Sequence, residues 1–257
     1  IRLDYWRRLD DFIEKKRFNV EWIYFFYPSS FLKSLNEARN YISLINQKSK
    51  YNENYKLIDN FLTKSCVIKS VNEYLISIVL NINKIKIINN LFLKNDYFFF
   101  LSAKKNFMNT LFGFRYFENI LLKNQFINFF STFGKNNRII YLMENQKWEK
   151  ILNFYCFKND VISYGFPHSG VRQMDLRYFI NNNNTLLKNY HPTNIIFHSK
   201  DTHEWLKQIK FNKKKIIKLE SLRFLRSKFS NIKMSTKKDN YLSKKNCLIF
   251  LDIYDIK

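Results

Sequence analysis

The stretch from Arg138 to Phe179, RIIYLMENQKWEKILNFYCFKNDVISYGFPHSGVRQMDLRYF, constrains the fold of this chain more than any other. Arg138–Met143 is a short apolar run rich in β-formers, and it ends in a polar pair, Glu144 and Asn145. Trp148, Ile151, Leu152 and Tyr155 then recur at the i, i+3, i+4, i+7 spacing of a helix with one apolar face. A second strand pattern, Val161–Phe166, runs into Pro167, His168, Ser169 and Gly170. Strand, helix and strand in that order make a βαβ unit. In open α/β sheets, ligands bind beyond the carboxyl ends of the strands. The unit therefore puts Glu144, Asn145, His168 and Ser169 at the edge where chemistry is expected.

The same alternation extends in both directions. Ile1–Arg17 reads as a charged helix. Asn19–Tyr27 reads as a buried strand stopped by Pro28. Ser30 is placed to cap a helix whose Phe31, Leu35, Ala38, Ile42 and Ile45 share a face, and the polar stretch Gln47–Asn54 ends that pattern. Ser70 and Glu73 have the spacing of a capping box. The stripe behind them, Val71, Tyr74, Leu75, Ile78, Val79 and Ile82, reads as core. Tyr97–Leu101 fits a strand or a helix equally. Asn109–Phe130 reads as one long aromatic helix, with Gly113 inside it as a point of close packing. Asn181–Asn184 is a loop. Asn194–His198 and Lys215–Leu219 are further strand patterns, and between them Ser199 is placed to cap a helix carrying Trp205, Leu206 and Ile209.

These patterns predict an α/β fold, a Rossmann-like parallel sheet with helices on both faces. Residues 1–226 are expected to form the N-terminal α/β domain. The polar, Lys- and Ser-containing residues 227–246 read as a linker. Residues 247–257, beginning with the apolar run CLIFLDIY, read as the start of a second, truncated α/β domain.

Composition narrows the function classes. The chain has 257 residues and a formal net charge of +23, with 46% hydrophobic and 18% aromatic residues, enough for a sizeable core. Lys, Asn, Ile, Phe and Tyr dominate, while Gly and Pro number only 4 and 3. All of the favoured types have A/T-rich codons, so part of the basicity follows from codon usage. The rest points to an anionic partner, such as a nucleotide-sugar phosphate or an acidic membrane surface. The lysines are dispersed and the aromatics fall at core-like spacings, which makes a nucleic-acid platform a poor fit. Cys66, Cys156 and Cys247 lie far apart with no metal-ligand spacing, as expected of small buried residues in a reducing compartment. No apolar run approaches the ~18 residues of a membrane span. The expected location is cytoplasmic, with a peripheral membrane association left open.

Several residues are candidates for chemistry. Glu144 has the position of a general base or sugar-orienting group, or simply of an acidic residue at a helix start. His168, between glycines at 165 and 170, has the position of a phosphate ligand or proton shuttle, or of a loop histidine bonded to backbone. Asn145, Ser169 and Gly170 are candidate substrate contacts. Arg172, Asp175 and Arg177 follow. Arginine suits bidentate contact with phosphate, and an internal Arg–Asp pair is the equal alternative. Glu149 is expected to make a local charge pair. Glycine-rich dinucleotide and Walker loops, the G-x-S-x-G elbow, HExxH and DxD are all missing from the sequence. No metal or cofactor is therefore expected.

The run YLMENQKWEKIL, then GFPHSGVRQMDLRYF, then ESLRF resembles a family of bacterial surface-carbohydrate biosynthesis proteins that look like two-domain GT-B glycosyltransferases. That family carries a similar E-N-Q-x-W-E segment, a G-x-x-H-S segment leading into D-L-R-Y-F, and a later E-A-L-R-Y-like segment. NTLFGFRYFENILL is similar to its S-L-x-G-x-x-x-x-x-N-L-L helix. The resemblance covers roughly residues 109–224. Ser221 stands where the family usually has Ala, and Asn109-Thr110 replaces a Ser-containing start. The resemblance implies that this chain is the N-terminal half of a GT-B-like architecture. It also implies sugar transfer from a nucleotide-sugar donor to a glycan or lipid-linked glycan acceptor in lipopolysaccharide or capsule assembly. A non-catalytic assembly protein of the same pathway is the alternative, and a basic nucleic-acid-binding protein a more distant one.

Overall fold

Among the described residues of a computed structural model, seven strands, all parallel, form one sheet in the order β2-β1-β7-β3-β4-β5-β6. They are β1 (Asn19–Phe25), β2 (Glu53–Leu57), β3 (Arg138–Met143), β4 (Ile162–Pro167), β5 (Asn194–Phe197), β6 (Ile216–Lys218) and β7 (Asn246–Asp252). The helices are α1 (Leu35–Lys48), α2 (Lys64–Asn81), α3 (Lys84–Leu93), α4 (Phe99–Phe112), α5 (Phe114–Ser131), α6 (Lys147–Lys158) and α7 (Lys200–Gln208). The structure describes residues 19–49, 53–93, 99–134, 137–167, 189–197, 200–208, 216–218 and 246–252. The expected N-terminal helix, the asparagine loop and most of the expected linker lie outside them. The chain divides into two compact units, residues 1–58 with 133–257, and residues 59–132.

The parallel sheet expected from β3, β4 and β5 is present, with Met143 opposite Pro167 and Gly165 opposite Ile195. Strand alternation sends the two faces of β1 to different layers. Trp22 and Tyr24 pack in a cluster with Ala38 and Ile42 of α1, and both stack on Tyr55 of β2. Phe25 points the other way, onto Trp148 of α6, 4.8 Å between ring centroids. Tyr141 of β3 meets the same indole edge-on. Helices therefore cover both faces. This follows from handedness: β1 to β2 crosses one way along the sheet and β3 to β4 the other, so right-handed crossovers place α1 and α6 on opposite sides.

β7 departs from the expected domain plan. Residues 247–257 were expected to open a second domain, yet Asn246–Asp252 lies between β1 and β3, with Val20 opposite Cys247 and Ile139 opposite Leu248. An apolar run with no alternation suits a strand covered on both faces, and the central position of the first sheet satisfies that as well as a new sheet would.

Local starts differ too. α1 begins at Leu35, not after Ser30. Ser34 is its N-cap, its Oγ accepting the Glu37 N–H at 3.2 Å. β2 occupies the end of the stretch expected to be irregular. Gly113 is not inside one long helix but separates α4 from α5, serving as the N-cap of the second. A Cβ there would sit 2.7 Å from the Asn109 carbonyl oxygen, so glycine fits where another side chain would push the turn apart. Ser70 and Glu73 do not open a helix. Thr63 caps α2 by accepting the Cys66 N–H at 3.1 Å, and Ser70 lies fully buried within the helix. The stripe expected to be core is largely outside, with Val71, Leu75, Val79 and Ile82 all exposed.

Candidate functional site

Because all seven strands are parallel, their carboxyl ends share one edge of the sheet. β1 and β3 lead to helices on opposite faces, and β7 lies between them. The edge near β1, β7 and β3 is thus the topological switch point of the sheet, where open α/β folds bind ligands. The N-termini of α1 and α6 lie at the same edge, and helix N-termini favour anions.

The turn from β3 into α6 is the best-defined part of this edge. Asn145 has φ 67°, a left-handed conformation uncommon for residues other than glycine, and its side chain is exposed. Such backbone persists where surrounding contacts over-determine it. Here the contact comes from Glu149. Its Oε1 accepts the backbone N–H groups of Glu144 and Gln146, both at 2.8 Å, on either side of Asn145. Glu149 is 4% exposed. The carboxylate therefore fixes the turn from within, at the positive end of α6. From sequence Glu149 is expected to make a local charge pair; the structure shows its carboxylate accepting these two backbone N–H groups, and the signal that could have found them is Glu at the third position of a helix, where it reaches back to the cap.

Glu144 is the first residue after β3 and is partly exposed at that edge. Glu144 and Asn145 thus both lie at the carboxyl edge of the sheet, between β3 and α6. Pro167, the last residue of β4, pairs with Met143, the last of β3, so the two strands end side by side. Adjacent strands lie about 4.8 Å apart. His168, Ser169, Gly170, Arg172, Asp175 and Arg177 follow Pro167 and lie outside the described residues, as does the expected cavity shared by Glu144 and His168.

Other contacts tie α6 and the start of β5 to β3 and β4. Buried Asn153 of α6 donates to the Tyr141 hydroxyl at 2.8 Å, and a 3.3 Å bond reaches the Tyr190 carbonyl before β5. Ser163 and Thr193 exchange backbone-to-hydroxyl bonds of 3.2 and 3.0 Å, extending the β4–β5 pairing. Gly165 serves packing: a Cβ would lie 3.0 Å from Pro192 Cγ and 3.3 Å from Met143 Sδ. Cys66 and Cys156 are buried free thiols, as expected. Burial pushes the Cys156 thiol well above its ordinary range, against a hydrogen bond to Ser163. That makes it inert as a nucleophile. Among the described residues no group of three or more His, Cys, Asp and Glu side chains could hold a metal ion, and no helix is long and apolar enough to cross a membrane. Comparison with known protein families, with curated proteins and with solved structures gives no match.

Proposed function

We propose that this chain is a glycosyltransferase-like protein of bacterial surface polysaccharide assembly, moving a sugar from a nucleotide-sugar donor to a glycan or lipid-linked glycan acceptor. The observation that carries the reading is the β3–α6 turn. It presents Glu144 and Asn145 at the switch point of a parallel sheet, held by the buried carboxylate of Glu149. The motif resemblance of residues 109–224 adds the reaction class. In the reaction the acceptor oxygen forms a bond to the anomeric carbon as the bond from that carbon to the donor phosphate breaks. The leaving nucleotide takes the electron pair, and the acceptor proton passes to Glu144. His168 and Arg172, with Ser169, Gly170 and Arg177, are assigned to the phosphates, and Asp175 to orienting the arginines. In the GT-B arrangement the partner domain would join beyond Asp252, because β7 belongs to the first sheet.

The test is nucleotide release and sugar transfer from a panel of nucleotide-sugars, with thermal melting alongside. Glu144→Gln and His168→Ala are expected to lower transfer by ~10²–10⁴-fold with melting temperatures near wild type. Full activity in both variants removes the assignment. Parallel loss of stability and activity makes both residues structural.

A further inference from the structure

Residues 59–132 contain a helix with its polar side inward. α2 directs Cys66, Ser70, Glu73 and Tyr74 into its own unit. Ser70 Oγ accepts from Asn124 of α5 at 3.0 Å, and Glu73 takes Lys123 at 2.6 Å and Asn124 at 3.1 Å. The Tyr74 hydroxyl donates to the Phe112 carbonyl at 2.6 Å. The opposite side is aliphatic and outside. Ile68, Leu75, Ile76, Val79 and Leu80 are between 55% and 70% exposed, and Ile87 of α3 is 61% exposed. A helix facing water hides its apolar stripe. One facing lipid does the reverse and uses polar side chains to bind its neighbour. No helix among the described residues can cross a membrane, so the geometry is that of a helix lying on a bilayer.

Charge selects the occupant. Lys64, Lys69, Lys84 and Lys86 are all exposed around this face. The one acidic residue from Thr63 to Leu93 is Glu73, which is tied to Lys123. A second copy of a chain of net charge +23 would set lysines against lysines. An anionic headgroup layer complements them. We propose that the outer face of α2, with the start of α3, docks on an anionic phospholipid surface. This is independent of the sugar-transfer reading.

The test is flotation of the full chain with phosphatidylcholine vesicles, with and without phosphatidylglycerol. Partition is expected on the anionic vesicles, weakened by added salt. The triple variant Leu75→Gln, Val79→Gln, Leu80→Gln removes three apolar side chains from the docked face and is expected to lower partition at least about tenfold. Lys69→Glu with Lys86→Glu is expected to lower it about tenfold on anionic vesicles alone. The replaced side chains are exposed, so melting curves are expected to match wild type. Failure to float with anionic vesicles, or unchanged partition in both variants, overturns the proposal. A dimer that the triple variant dissociates, with no vesicle binding, overturns it in favour of self-association.

Discussion

Replacing Glu149 tests whether the β3–α6 turn is held as its geometry states. Two backbone N–H groups, of Glu144 and Gln146, end on one oxygen of this buried carboxylate. Glu149→Ala leaves both donors without that acceptor. Hydrogen bonds to charged groups contribute ~1.5–3 kcal/mol each. The turn is partly open to water, which supports the lower end, so the expected cost is about 3 kcal/mol. Glu149→Gln is a gentler change. Its amide oxygen has two lone pairs and can accept both N–H groups. What is lost is the charge, at the positive end of α6, a difference of about 1–2 kcal/mol. For a chain of this size 1 kcal/mol shifts melting by roughly 2–4 °C. The alanine variant should then melt about 6–12 °C below wild type and the glutamine variant about 2–8 °C below. Urea unfolding with an unchanged slope would give the free energies directly. An alanine variant within about 0.5 kcal/mol of wild type would refute the argument, since surface changes commonly fall in that range. A glutamine variant as poor as alanine would show that charge, not acceptor geometry, holds the turn.

Other outcomes follow from the same structure. Gly165→Ala should cost about 1–3 kcal/mol in urea unfolding, because its new methyl meets Pro192 and Met143, and the same change should cost less in a Met143→Ala background, where one of the two obstacles is gone. Cys66 and Cys156 should resist iodoacetamide in the folded protein and react on unfolding, as read by peptide mass spectrometry, since burial raises both thiols above their ordinary range. Burial acts to raise the Glu73 carboxyl, but hydrogen bonds from Lys123 and Asn124 and the nearby cations outweigh it and hold the group below its ordinary value. Its contribution is therefore present above the unfolded carboxylate range of ~4.3 and falls as pH drops through the lower folded value. The stability gap between wild type and Glu73→Gln should narrow on acidification, and a gap that is constant from about pH 6 to 3 would contradict this.

The βαβ unit was legible because its signals agree. β3 and β4 are short apolar runs of β-formers, and α6 places Trp148, Leu152 and Tyr155 on one buried face. Glu144 and Asn145 were legible as candidates by position alone. Other elements were not. β2, ENYKL, carries Glu, Asn and Lys. It forms because Tyr55 and Leu57 reach the core and Asn46 of α1 bonds the Tyr55 backbone at both ends, 2.8 and 2.9 Å. The Ser70–Glu73 pattern has capping-box spacing, but both side chains instead bond α5, a tertiary contact that no local window contains. Aliphatic residues on α2 fit a core stripe by periodicity, and periodicity does not say which side of a helix meets its neighbour. β7 was recognised as a strand, while its placement depended on partners far away in the chain.

That placement shapes how the chain assembles during synthesis. The register partners Asn19 and Asn246 emerge from a ribosome roughly 10–45 s apart at ~5–20 residues per second. Until the later one arrives, β1 with β2 and β3 with its followers are separate ribbons, each presenting an unpaired inner edge to solvent. Such edges recruit other strands, so the nascent chain carries two sticky margins until Asn246–Asp252 has emerged, and closure across so long a separation is slow. Ending the chain at Lys245 would leave those two margins permanently open, and the product is expected to collect in the insoluble fraction.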